Sequence, residues 1–478
     1  MQFYIEALDE KGYGLARPHE GAGTAGESLS ESLSKAQVPF HSVQTRGGGK
    51  RVRIPFTLPG EVVYAEPTLR REKGIRIYRA TDVVTAHVSR VPARCPHFGR
   101  CGGCQLQHMS YAEEMRYKTA LVRQATIQAG FSEKLVQDVL GMPEPWTYRN
   151  KMEFTFAPDG ALGLHRLGDF RSVEPLTTCA IAQPEMVRAM QIVAEWAQDF
   201  SLPGYDKKTH TGVLRHVMVR KSARGELLLA LFATHAPQSD TGQLRPEAQA
   251  LLERLEAQGG VRTLIWYVYR GLADRVGFDE RYVLKGDAFI EDELLGFTYR
   301  LQPETFFQTN ALQAERLLRE ALRLADVRPF MRVIDLFSGV GTFTLPLARQ
   351  AEMAYGIEIV PHSVEEARHN AERNGVTNAL FFAGDVRRSF DAVLEVSGRT
   401  PDVIVLDPPR SGAGGKVMRR IGRTGVPRVV YVSCQPKTWA EDLKELKAFG
   451  YVLKHVQPVD MFPKTPHVEL VSLLEKEA

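Results

Sequence analysis

Apolar and polar positions follow three different rhythms along the chain. Up to about residue 85 the apolar runs are short, at 3–7, 52–56, 62–66 and 75–79, and Gly and Pro turns separate them, which predicts a small β-barrel. Residues 110–130 (SYAEEMRYKTALVRQATIQAG) have helical spacing, with Ser110 as N-cap, Glu113 three residues on and Gly130 as the stop. Between 149 and 300, strands at 151–156, 213–220 and 227–232 mix with helices at 184–198 and 246–257. From 333 onward the alternation is regular: strands at 333–336, 354–357, 379–382, 403–406 and 428–432, helices at 342–350, 361–374 and 437–449, and closing strands at 452–456 and 468–474. Strands and helices in strict alternation predict a doubly wound parallel sheet. The expected fold class is therefore α/β: a barrel over 1–85, a central α+β domain over 86–300 and a Rossmann-like domain over 301–478. The 110–130 helix is free to pack on the last of these. Segment 20–36, rich in Gly, Ala, Ser and Glu without apolar period, is expected to be a flexible loop.

Composition narrows the class. With 478 residues, 44% hydrophobic and 25% charged, the chain is expected to be globular. Its start resembles neither a signal nor a transit peptide, and no run approaches ~20 apolar residues, so a cytoplasmic protein without a membrane partner is expected. The net charge of +4 is mild. Basic residues nevertheless concentrate in the barrel, at Arg46, Lys50, Arg51, Arg53, Arg70, Arg71, Lys73, Arg76 and Arg79. They would either follow a nucleic-acid backbone or solvate strand faces. Five cysteines, an odd number, do not suggest a disulfide framework.

In open α/β sheets ligands bind beyond the carboxyl ends of the strands. After the first strand comes DLFSGVGTF (335–343), where Gly339 and Gly341 allow a tight turn beside a ligand. Glu358 follows the second strand, placed to accept bonds from ribose hydroxyls; Asp385 follows the third and Asp407 the fourth. Position 344 is Thr rather than the third glycine of the dinucleotide pattern, so a nucleoside ligand without pyrophosphate, such as S-adenosylmethionine (SAM), suits the loop better than NAD. Cys434 follows the fifth strand. A final antiparallel strand would begin at this same edge, bringing Glu469 near Cys434. A thiolate beside a carboxylate suits methylation of a pyrimidine carbon: addition of the thiol at C6 makes C5 nucleophilic, and the carboxylate then removes the C5 proton. Methylation of an exocyclic nitrogen needs no thiol.

LDPPRSGA (406–413), YVSCQP (431–436), HVELV (467–471) and PETFFQTN (303–310) resemble the RNA uridine-5 methyltransferase family. The resemblance implies SAM contacts at Gln308, Phe337, Gly339, Thr342, Glu358, Asp385 and Asp407. It makes Cys434 the nucleophile and Glu469 the base, with Asp407 beside them. A separate set, Cys95, Cys101 and Cys104 in CPHFGRCGGCQLQH with Cys179 downstream, has spacing that suits Zn²⁺ or an iron–sulfur cluster alike. By resemblance it is similar to the [4Fe–4S] segment of the subgroup that modifies 23S rRNA, with His97 and His108 as neighbours rather than ligands. The same subgroup carries an RNA-binding TRAM barrel, which residues 1–80 resemble, including LPGE (58–61). YRNKMEF (148–154) and GVLRHVMVR (212–220) also resemble family segments, which implies that Arg149, Lys151, Arg215 and Arg220 face RNA. The resemblance thus implies a monomeric SAM-dependent enzyme acting on a uridine of 23S rRNA, with tRNA as the alternative substrate. A radical-SAM enzyme is disfavoured because its CxxxCxxC run is absent. A catalytically dead RNA-binding protein is disfavoured by the complete set Asp407, Cys434 and Glu469.

Overall fold

The computed structural model describes residues 1–19, 51–273 and 277–477; the loop expected at 20–36, with Arg46 and Lys50, lies outside them. Strands β1 (Gln2–Leu8), β2 (Gly14–Pro18), β3 (Val52–Ile54), β4 (Val62–Glu72) and β5 (Ile75–Thr85) close into a barrel of order β1-β2-β3-β5-β4. Alternating inward residues, among them Phe3, Ile5, Ala16, Ile54 and Val63, fill it. The β4–β5 hairpin reaches the centre of the chain, where Arg70 Nη1 donates to the Leu167 carbonyl at 3.1 Å. Arg53 is a correction to its expected exposure: it is buried and pairs with Asp9 at 2.7 Å, because a buried guanidinium needs a partner. Arg51, Arg70, Lys73 and Arg79 also have carboxylate partners.

A second sheet has order β12-β11-β10-β9-β6-β7-β8. Its strands are β6 (Lys151–Phe156), β7 (Leu162–Arg166), β8 (Asp169–Pro175), β9 (Leu214–Lys221), β10 (Leu227–Ala233), β11 (Val261–Val268) and β12 (Glu280–Lys285). Helices α2 (Pro184–Asp199) and α3 (Pro246–Gln258), both opened by proline at the first turn, cover one face. The opposite face shares a core with hairpin β13 (Ile290–Leu294)–β14 (Phe297–Leu301) and helix α4 (Ala311–Ala325). That core continues into the last sheet, so the two halves are packed together through Phe232, Tyr267, Phe307, Leu317 and Val432.

The last sheet has order β17-β16-β15-β18-β19-β21-β20. It comprises β15 (Arg332–Leu336), β16 (Met353–Glu358), β17 (Ala379–Ala383), β18 (Val403–Leu406), β19 (Arg428–Ser433), β20 (Tyr451–Val459) and β21 (Glu469–Lys476). All pairings are parallel except those of β21, which runs antiparallel to both β19 and β20. Helices α5 (Thr344–Ala348), α6 (Pro361–Arg373), α7 (Val386–Ser397), α8 (Gly415–Thr424) and α9 (Pro436–Lys447) link the strands. α5 is shorter than the helix expected at 342–350, because the chain still turns at Gly341 (φ 88°).

Helix α1 (Tyr111–Gln128), capped by Ser110 Oγ as expected, packs Val122 and Ala125 into the core of this last sheet. Its Lys118 is fully buried: the ammonium pairs with Asp460 and, at 2.8 Å, with Glu114, while Glu114 holds Lys464 at 3.1 Å. Tyr111 Oη donates to Asp460 at 2.6 Å. These contacts fasten the 460–468 connector that leads into β21. Replacing Lys118 by Met leaves two buried carboxylates short of a cation. A loss of about 3–5 kcal/mol is expected, read as a lower denaturant midpoint by circular dichroism.

Candidate active site and cysteine centre

Two loops converge at the carboxyl edge of the last sheet. The first leaves β15 through Phe337, which adopts φ 68°, a left-handed conformation costly for a side chain with a Cβ. Gly339 (φ 54°) follows, and its N–H donates to Glu358 Oε2 at 3.0 Å. Glu358 Oε1 accepts from Val360 N at 2.9 Å, so the carboxylate stands fixed beside the turn. Thr342 is half-buried on the same loop, and Gln308 approaches from the segment before α4, also buried.

Sequence reasoning missed Asp335 here. Burial chiefly, with Asp407 and Glu358, raises its carboxyl to about 8, although Thr344 donates to Oδ2. Asp335 Oδ1 and Ser338 Oγ are buried without a partner, as befits polar atoms that meet a ligand. The available signal was an acid at the end of an otherwise apolar strand. Asp385 caps α7 and is engaged by Arg387, whose Nε lies 2.9 and 3.0 Å from its two oxygens; that side-chain bond holds the acid at about 2. To reach a ligand, Asp385 must share this guanidinium.

The second loop carries Cys434. Ser433 Oγ accepts from Gln435 N at 3.1 Å, a local turn that presents Cys434 just before α9 begins. The ladder between β19 and β21 ends at Ser433↔Leu470, and one residue beyond it Cys434 is close enough to Glu469 to feel its charge. Burial, then Glu469 and Asp407, push the half-buried thiol up to about 11. Burial and Asp407 push Glu469, itself buried, up to about 8, and burial takes Asp407 to about 7. Arg410, exposed on the loop after β18, is the cation that opposes the shifts of both Cys434 and Glu469. The expected residues Asp407, Cys434 and Glu469 therefore form one electrostatically coupled group.

Beside it opens a cleft of ≈ 610 Å³ whose lining includes Arg149, Lys151, Phe306, Thr309, Thr465 and His467. Phe306 is 71% exposed there, an aromatic face that nothing in the local sequence pattern singles out. Burial, with Arg410, Lys118 and Arg149, lowers His467 to about 4, so it is neutral at physiological pH. Arg215 and Arg220 are corrections: both are buried. Arg215 donates to the Gly271 and Ala273 carbonyls and lies over the Tyr205 ring, and Arg220 donates to the Thr305 carbonyl at 2.7 Å. They support the central sheet rather than facing a ligand.

Cys95, Cys101, Cys104 and Cys179 line one small cavity, and the thiols of Cys101, Cys104 and Cys179 are raised by burial with help from their cysteine neighbours. Among the described residues, no group of three or more His, Cys, Asp or Glu side chains stands in metal-holding geometry. His97 is also at the cavity, but Thr177 N donates to its Nε2 at 3.1 Å. His108 lies away from it, stacked on Phe98. The loop is tied down on two sides: Gly102 N donates to the His165 carbonyl at 2.9 Å, and Gln105 N and Leu106 N both donate to the Lys464 carbonyl at 3.0 Å. The cysteine loop therefore rests directly on the connector leading to Glu469.

Residues 221–477 match a family model described as tRNA (Uracil-5-)-methyltransferase. An uncharacterized RNA methyltransferase of Caldanaerobacter subterraneus is 35% identical over 90% of this chain and 94% of its own. One of Gloeobacter violaceus is 36% identical over 97% of this chain and 100% of its own. Among solved structures, Pyrococcus abyssi tRNA (uracil-54, C5)-methyltransferase in complex with S-adenosyl-L-homocysteine superposes with a TM-score of 0.74 over 99% of each chain, at 24% identity.

The geometry makes the Cys434 thiol hard to ionise in the ligand-free protein. Glu469 is anionic above about pH 8, and an anion beside a thiol raises its pKa, so Glu469→Gln lowers it. Iodoacetamide labelling of the Cys434 peptide, followed by mass spectrometry from pH 7 to 11, is expected to rise late in the wild type and at lower pH in the variant. Superimposable profiles would remove Glu469 from the environment of the thiol.

Proposed function

The chain belongs to the RNA (uracil-5-)-methyltransferase family, and we propose that its target is a uridine of 23S rRNA, methylated with Cys434 as nucleophile and Glu469 as general base. The observation that carries this reading is the adjacency of Cys434 and Glu469 at the sheet edge that also holds the Gly339 turn. SAM supplies the electrophilic methyl group when bound. The strained Phe337 turn, Glu358 and the unpartnered Asp335 and Ser338 atoms fit its nucleoside and amino-acid polar groups, with Gln308, Thr342, Asp385 and Asp407 around them.

The Cys434 thiol gives its proton to water and the thiolate adds to C6 of the uracil; the π pair displaced to C5 would then take the methyl group, the pair of the broken bond staying on the donor's sulfur. Glu469 then accepts the C5 proton, the Sγ–C6 bond breaks and the ring regains its C5–C6 double bond. Burial chiefly, with Asp407, raises the pKa of Glu469, so that its carboxylate, once ionised, is a stronger base for this removal than a solvated one. Phe306 offers a face on which an unstacked base can rest, consistent with a target presented in a loop or flipped out.

The four cysteines suit a [4Fe–4S] cluster, supported by their convergence on one cavity and by the CPHFGRCGGCQLQH segment. No step of methyl transfer passes through it. The five-stranded barrel is assigned as the TRAM-like RNA contact. It does not by itself choose the RNA, because the Pyrococcus abyssi enzyme, which shares the fold along its whole length, acts on uracil 54 of tRNA. That likeness supports a second reading with a tRNA substrate.

Incubation with SAM and 5-fluorouridine-substituted RNA separates these readings. A covalent adduct with 23S rRNA fragments and none with tRNA transcripts is expected; the reverse transfers the assignment to tRNA. Cys434→Ala should form no adduct, and Glu469→Gln should stall with ordinary RNA attached. An adduct with the Cys434 variant would sink the nucleophile assignment. Protein purified without oxygen is expected to be brown with about four iron atoms per chain; a colourless protein holding zinc would overturn the cluster.

A further inference from the structure

Away from the catalytic cleft, a groove of ≈ 460 Å³ between α7 and α8 is lined by Arg387, Arg388, Lys416, Arg419, Arg420 and Arg423. All six are cations. On α8, Lys416, Arg419, Arg420 and Arg423 recur at i, i+3, i+4 and i+7, while Val417, Met418 and Ile421 fill the buried face. A basic helix face is commonly just solvated, but three features set this one apart.

The first is convergence, since two helices aim cations into one groove. The second is position on the helices. The first turns of α7 and α8 hold Arg387, Arg388 and Lys416 and no acid beyond the Asp385 cap before α7, although the positive end of a helix dipole disfavours cations. The third is incomplete pairing. Arg387, Arg419 and Arg420 form ion pairs with Asp385, Glu445 and Asp391, whereas Arg388, Lys416 and Arg423 form none among the described residues, Arg388 acting on Asp385 only at longer range. An arrangement that repels itself in the free protein is relieved by a polyanion.

The groove also faces the right way. α7 starts directly after Asp385 at the end of β17, and α8 starts where the loop from Asp407 through Arg410 ends. Both helix starts therefore open at the edge that carries Cys434 and Glu469. From Lys416 to Arg423 the stripe runs roughly 10 Å, longer than a single phosphate.

We propose that this groove is a second RNA-binding track, on the methyltransferase fold itself, that grips phosphodiesters flanking the target loop. The proposal rests on the reading that folded RNA is the substrate. Arg supplies forked donors to phosphate oxygens and Lys a mobile point charge, so the track fixes the orientation of the strand without reading sequence.

The test is full-length protein carrying Arg388→Gln, Lys416→Gln and Arg423→Gln together, which leaves the ion pairs of Arg387, Arg419 and Arg420 in place. Binding to a long RNA containing the target is followed by fluorescence anisotropy across a salt series. Three lost phosphate contacts are expected to flatten the plot of log affinity against log salt by about 2. Affinity at ~0.1 M salt should fall at least tenfold, with SAM binding and turnover at saturating RNA unchanged. Unaltered affinity and slope would overturn the proposal and leave the groove to an acidic protein partner. If the triple variant fails to bind SAM, the wild type decides: bound RNA should protect Lys416 from acetylation, and an unprotected Lys416 overturns the track. A wild type that makes no 5-methyluridine in any RNA refutes the proposed function instead, whereas an active wild type with an indifferent variant refutes only the groove.

Discussion

Side chains along a strand change face at every residue, so the register of β21 against β19 decides what Cys434 meets. With Ser433 opposite Leu470 as the last pair, Cys434 and Glu469 stand just beyond the end of the ladder; a slip of one residue would turn the carboxylate to the other face. β21 is also the strand that runs against the direction of its neighbours, which is why its first residue stands where the other strands end. The site at this edge is thus a product of strand polarity and register before any side chain makes a specific bond.

Register alone leaves the approach to β21 undetermined, and here buried charge takes over. Lys118 on α1 reaches Asp460, Glu114 reaches Lys464, and the cysteine loop donates two backbone bonds to the Lys464 carbonyl. Charges held this far from water are costly unless each is matched, so the connector has one arrangement in which all are satisfied. The same segment carries Thr465 and His467 into the cleft wall, so the packing of α1 on the last sheet sets the shape of the space where a base would lie.

Much of this was legible in the sequence. The regular alternation after residue 333 fixes where strands end, and the strand-end rule then picks out Gly339, Glu358, Asp407 and Cys434 without knowledge of any contact. What stayed hidden depended on distant partners. Arg215 and Arg220 look like surface cations in their own strands, yet their acceptors lie 56 and 85 residues away in sequence. Arg53 likewise finds Asp9 across the barrel. Helix α8, written GKVMRRIGRT, reads as a basic link between glycines because only Val417, Met418 and Ile421 give it an apolar face. The convergence of four thiols could be suspected from spacing, but their common cavity needed Cys179 to return from the far side of β8.

The hold of Lys464 on the cysteine loop also bears on the order in which the molecule is built. Cys95, Cys101 and Cys104 leave the ribosome early, whereas the carbonyl that receives Gln105 and Leu106 is made some 360 residues later. At ~5–20 residues per second, that is an interval of tens of seconds in which the loop lacks its final support. The cysteine cavity therefore takes its final form only when the last sheet closes, and the oldest part of the loop waits on nearly the youngest part of the chain.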